Sequence, residues 1–109
     1  MKNVAVIGSG SWGTALAIIL TKYDHQVKIW ARSQAAVDEI NSKHTNEKYL
    51  PGVTLPETLT ATTDREAALE GAEIVISAVP SRAVRQTMTD FAPYFKPGTV
   101  IVNVAKGLE

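Results

Sequence analysis

Apolar and polar positions fall in blocks along this chain, and the blocks alternate between strand length and helix length. Val4-Ala5-Val6-Ile7 is a short apolar run, and after a glycine-rich gap Ala15-Leu16-Ala17-Ile18-Ile19-Leu20 resumes it at helical length. A first strand followed by a helix from about Trp12 to Tyr23 is therefore predicted. The helix should stop at Asp24-His25, where Asp24 takes the left-handed turn usually given to glycine. Gln26-Val27-Lys28-Ile29-Trp30 reads as a second strand. Ser33 then stands as the N-cap of a second helix with Ala36, Val37 and Ile40 on its buried face. From Asn41 to Lys48 the chain is polar, and with Tyr49-Leu50-Pro51-Gly52 after it the segment reads as a loop.

The second half repeats the alternation. A short third strand is predicted near Leu59-Thr60-Ala61, and Thr63-Asp64-Arg65-Glu66 has the capping-box pattern that opens a short helix, closed by Gly71. Ile74-Val75-Ile76-Ser77-Ala78-Val79 is a continuous run, as expected for a strand buried on both faces. Pro80-Ser81 should start the next helix, with Val84, Met88, Phe91 and Ala92 as its stripe. Pro97-Gly98 turns the chain into a last strand, Thr99 to Val104. The fold class that follows is α/β, a doubly wound parallel sheet of the Rossmann type. Ligands in such sheets sit beyond the carboxyl ends of the strands, at the change in strand order. Gly8 to Gly13, Ala31 to Ser33, Val79 to Arg82 and Ala105 to Gly107 are thus the segments to question.

The first of these carries the sharpest chemistry. Gly8-Ser9-Gly10-Ser11-Trp12-Gly13 lies between a strand and a helix, which is the context a dinucleotide-binding glycine turn requires. Gly8 lets the chain turn sharply, Gly10 lets backbone approach a pyrophosphate, and Gly13 lets the helix pack closely on the strand. The helix N-terminus then offers unpaired N–H groups and partial positive charge to phosphate oxygens. The Ser11 and Trp12 amides and the Ser11 hydroxyl lie at this mouth. Trp12 either packs on its own sheet or touches the bound nucleotide or a closing partner domain.

Composition narrows the picture further. A chain of 109 residues with 45% hydrophobic content fits one globular domain. Eleven basic and eleven acidic residues cancel, which argues against nucleic acid as a bulk partner. With no cysteine there is no disulfide, no thiolate-bound metal and no thiol nucleophile. No apolar run approaches the length of a membrane span, and the chain opens directly on a strand, so no stable membrane insertion and a cytoplasmic location are expected.

The end of the second strand bears on the cofactor. An NAD site usually places Asp or Glu about twenty residues past the glycines, to bind the ribose 2′-hydroxyl. Here the chain reads Trp30-Ala31-Arg32-Ser33, without an acid. Arg32 suits a 2′-phosphate and stacking on adenine, and Ser33 adds a hydroxyl. NADP is the expected cofactor, with NAD as the alternative.

Taken together, Gly8 to Ala17, Trp30-Ala31-Arg32, Tyr49-Leu50-Pro51-Gly52, Val79-Pro80-Ser81 and Lys106-Gly107-Leu108-Glu109 resemble the bacterial NAD(P)-dependent glycerol-3-phosphate dehydrogenases along the whole chain. The resemblance implies an oxidoreductase that interconverts dihydroxyacetone phosphate and sn-glycerol 3-phosphate for glycerophospholipid synthesis. It implies that Ser11 and Trp12 touch the cofactor phosphates, that Arg32 serves the adenosine end, and that Tyr49 and Pro80 border the dinucleotide. Lys106 matches the family lysine that meets both cofactor and substrate. Residues 1–109 would then be the NAD(P)-binding domain, ending after the fifth strand, with the helical substrate domain and its proton-accepting lysine outside the chain. Such a piece is expected to be inactive alone. It should also expose a sheet edge and apolar helix faces, which favours a homo-oligomer.

Two other readings stay open at this point: the cofactor domain of another two-domain dehydrogenase, such as a hydroxyacid or ketopantoate reductase, and a non-catalytic nucleotide-sensing module. His25 reads as a solvated turn residue, His44 as a lid or surface residue, and Asp64 and Glu66 as helix-start charges. No metal site is expected.

Overall fold

A computed structural model describes residues 2–104. The elements in chain order are β1 (Asn3–Ile7), α1 (Ser11–Lys22), β2 (Gln26–Trp30), α2 (Gln34–Lys43), β3 (Thr60–Thr62), α3 (Arg65–Leu69), β4 (Ile74–Ser77), α4 (Val84–Phe91) and β5 (Val100–Asn103), with single tight turns at Ser81–Ala83 and Ala92–Tyr94 flanking α4. The sheet runs β3-β2-β1-β4-β5, and every neighbouring pair is parallel. From β1 the chain winds outward through β2 and β3, then returns to the other side of β1 for β4 and β5. That reversal opens a crevice at the carboxyl ends of β1 and β4.

Side chains alternate across the strands and feed two cores. Val4 and Val6 point to one, with Ala17, Val27, Ile29, Val37 and Ile40. Ala5 and Ile7 point to the other, with Trp30, Leu69, Val75 and Phe91. Phe91 is wholly buried and meets the Trp30 ring edge-on, centroids 5.1 Å apart at 87°. Burying a side chain of that size stabilises the fold by about 1.5–3 kcal/mol. Ser33 caps α2, its Oγ accepting from the Ala36 N–H at 3.3 Å, and Asp24 takes the left-handed conformation with φ of 68°. Both match the sequence reading.

Four local expectations need correction. The second helix continues through Asn41 to Lys43, and His44 ends it with φ of 55°. Polarity hid the reason: the Asn41 amide donates to the Ala61 carbonyl at 3.0 Å and its oxygen accepts from the Ala61 N–H at 2.8 Å, clamping α2 to β3. The N-cap of α3 is Asp64 rather than Thr63, because one carboxylate oxygen accepts from both Glu66 N–H (2.9 Å) and Ala67 N–H (3.2 Å). The strand at residue 74 stops at Ser77, and Ile74 and Ile76 are only half-buried. On the last helix Ala92 is exposed, since α4 has already ended and the next turn is tighter. All four residues of β5 are exposed as well.

Candidate dinucleotide-binding cleft

The turn after β1 is built around glycines for two separate steric reasons. Gly8 has φ of 118°, donates its N–H to the Trp30 carbonyl at 2.9 Å, and lies so close to β4 that a Cβ would sit 3.1 Å from the Ala78 oxygen. At Gly13 a Cβ would lie 2.6 Å from the Gly8 oxygen and 3.1 Å from Ala78 Cβ, so α1 can rest on the turn only without a side chain. Gly10 differs: a Cβ there meets nothing within 4 Å. It is the N-cap of α1, and no side chain closes that end. The first amides of α1, Ser11, Trp12 and Gly13, have no acceptor inside the helix. Ser11 and Trp12 are also exposed, so this helix end presents donors and positive potential to an anion.

Asn46 is a site residue that sequence reasoning missed. It is 2% exposed, and its amide donates to the Ser9 carbonyl at 2.8 Å and to Thr14 Oγ1 at 3.0 Å. The Thr14 hydroxyl in turn donates to the Ser9 carbonyl at 3.1 Å. The glycine turn is thereby tied to the loop that follows α2. Nothing in the local pattern marks Asn46, which stands in a polar stretch like its neighbours.

That loop is itself anchored. Glu39 Oε2 accepts from the Glu47 N–H at 2.8 Å and the Thr45 hydroxyl at 2.7 Å. The Glu47 amide above all, then the Thr45 hydroxyl and the Lys43 charge, hold the Glu39 carboxyl below its usual value. Glu47 Oε1 accepts from the Gly52 N–H at 3.1 Å.

Around these supports runs a cleft of about 740 Å³, lined by Gly8 and Gly10 from the turn, Arg32 and Ser33 after β2, and Lys48 and Tyr49 from the loop. Val79 and Pro80 close it on the β4 side and continue into a second recess of about 250 Å³ beside Ser11, Trp12 and Tyr49. Trp12 is 45% exposed, and its indole N–H donates to the Val104 carbonyl at 2.8 Å, linking α1 to the end of β5. Gly8, Gly10, Ser11, Trp12, Arg32, Ser33, Tyr49 and Pro80 thus border one continuous depression, with Gly13 beneath it. Lys106 lies outside the described residues.

The remaining polar candidates are elsewhere or structural. His25 Nδ1 accepts from the Lys2 N–H at 3.1 Å, at the opposite end of the sheet. The His44 carbonyl accepts from the Leu55 N–H at 2.7 Å, bracing the loop. Among the described residues no cluster of His, Asp and Glu suits a metal ion, and no helix is long and apolar enough to cross a membrane.

The family model described as NAD-dependent glycerol-3-phosphate dehydrogenase N-terminus matches residues 3–109. The chain is 47% identical over all 109 residues to a glycerol-3-phosphate dehydrogenase [NAD(P)+] of Geobacillus kaustophilus, of which it covers 32%. It superposes on the crystal structure of glycerol-3-phosphate dehydrogenase from Coxiella burnetii with a TM-score of 0.90 and 38% identity, covering 97% of this chain and 33% of that one. A ketopantoate reductase from Ralstonia eutropha matches with a TM-score of 0.77 at 19% identity, over 98% of this chain and 35% of that one, a likeness of fold alone. The chain spans about a third of the length of the relatives it matches. It belongs to the glycerol-3-phosphate dehydrogenase family, of which it represents the N-terminal, dinucleotide-binding part.

Proposed function

We propose that this chain binds a nicotinamide dinucleotide, NADPH in preference to NADH, as the cofactor-binding part of an enzyme that interconverts dihydroxyacetone phosphate and sn-glycerol 3-phosphate. The observation that carries the reading is the glycine turn at the reversal of strand order, whose uncapped α1 amides open onto the cleft. The open space at Gly10, where a Cβ meets nothing, fits a pyrophosphate approaching the backbone. Ser11 and Trp12 offer it their amides. Arg32 and Ser33 take the adenosine end, and Tyr49, Val79 and Pro80 form apolar walls that exclude water along the dinucleotide. A bound nicotinamide supplies hydride transfer to or from carbon. Lys106, which follows β5 in sequence, attracts the substrate phosphate and polarises its carbonyl oxygen.

The same reading includes a helical substrate domain elsewhere in the parent enzyme, a role in glycerophospholipid synthesis, self-association and a cytoplasmic location. Calorimetric titration of the purified chain with NADPH and with NADH tests its core. Tighter binding of NADPH is expected, and equal affinity would remove Arg32 from the 2′-phosphate. The chain alone should show no NADPH oxidation in the presence of dihydroxyacetone phosphate. Turnover would overturn the assignment of proton transfer to the other domain.

A further inference from the structure

We infer that Lys48 is a second specificity-determining cation, which acts with Arg32 on the 2′-phosphate of NADPH. The inference rests on the NADPH reading above and adds to it a residue from a different element. Arg32 follows β2 directly, whereas Lys48 arrives from the loop after α2, yet both line the same cleft, as does Ser33. Neither is in an ion pair: those among the described residues are Lys2–Glu73 and Arg65–Asp90. Two cations without an ion-pair partner among the described residues, in one concavity of a chain with zero net charge, mark a place for an anion of more than one charge.

The loop that carries Lys48 is held in place before any ligand arrives. Thr45 and Glu47 bind the Glu39 carboxylate, Asn46 binds the glycine turn, and Glu47 binds the Gly52 amide. The Lys48 ammonium also lies 5.3 Å from the centre of the Tyr49 ring. The loop's hydrogen bonds fix the backbone on either side of Lys48 ahead of binding, so less loop freedom is lost when a phosphate is captured. Ser33 Oγ accepts from the Ala36 N–H and so keeps its own proton to donate. Glu39 also lines the cleft, but its Oε2 is occupied by the loop. The 2′-phosphate distinguishes NADPH from NADH, so a charge aimed at it changes the ratio of the two affinities.

Calorimetry on the wild-type chain and on K48Q, K48R and R32Q, with NADPH and NADH at low and high salt, tests the inference. K48Q should lower the NADPH-to-NADH affinity ratio about tenfold, the loss expected for one charge-assisted contact, and flatten the salt dependence of NADPH binding. K48R should keep most of the ratio, and R32Q should lower it at least as far as K48Q. Thermal melting of K48Q should coincide with wild type, because the Lys48 side chain is exposed. If R32Q collapses the ratio while K48Q leaves it unchanged, Lys48 has no part and the NADPH reading stands. A wild-type ratio of one or below overturns both, and would turn attention to Glu39 as acceptor for a ribose 2′-hydroxyl.

Discussion

A methyl group added at Gly13 would sit 2.6 Å from the Gly8 oxygen, whereas one added at Gly10 would meet nothing within 4 Å. The two substitutions should therefore separate folding from binding. Gly13→Ala is expected to lower stability by about 1–3 kcal/mol or more, because α1 must move off the turn. Gly10→Ala should cost under about 1 kcal/mol, the ordinary penalty at an N-cap, yet weaken NADPH binding by crowding the pyrophosphate. Denaturant melts and calorimetry on the same pair of variants read both effects. Asn46→Ala is expected to cost about 1–3 kcal/mol, since it leaves the buried Thr14 hydroxyl and Ser9 carbonyl short of a partner. It should weaken NADPH binding too, by releasing the turn. The glycines were legible in the sequence because their spacing is the chemistry of the motif. Asn46 was not, because its partners are Ser9 and Thr14, and no local pattern records a contact across that separation in the chain.

The same contrast holds for whole elements. Strands β1 and β2, helix α1 and the cap at Ser33 follow from apolar runs, propensity and a hydroxyl at the right place, all local properties. The end of α2 depends on Asn41 reaching Ala61, and in β4 Val75 and Ser77 are buried while Ile74 and Ile76 are only half-buried, although the strand is paired on both sides. Such limits belong to tertiary structure. The loop after α2 has a pH signature of its own. Glu39 has a folded-state carboxyl held below the ordinary 4.5, so its contribution to stability is present above that value and is lost as pH falls through the lower folded-state value. Acidification below pH 4.5 should loosen residues 44–52, measured as faster amide exchange at Glu47 and Leu50. Glu39→Gln should abolish the pH dependence there. Persistence of the transition in that variant would assign it to another group, such as Glu73, whose carboxyl is lowered chiefly by the Asn3 N–H.

For the molecule as a whole, the two edges of the sheet differ. At one, β3 is three residues long and tied to Asn41. At the other, β5 leaves Val100, Ile101 and Val102 55%, 44% and 40% exposed, with no charge or proline in the strand. An undefended apolar edge of this kind favours pairing with another chain. Self-association is accordingly expected to rise with concentration in sedimentation experiments, and Ile101→Lys should suppress it. A wild-type chain that stays monomeric throughout would remove the edge as a docking strand. The central claim, that the uncapped end of α1 receives the phosphates of a dinucleotide, is tested most directly by titrating the isotopically labelled chain with NADPH and following its backbone amides by NMR. The account predicts the largest shifts at Gly10, Ser11, Trp12 and Gly13, with smaller ones at Arg32 and Ser33. A folded chain whose Gly10 to Gly13 amides stay unmoved at saturating NADPH would contradict it.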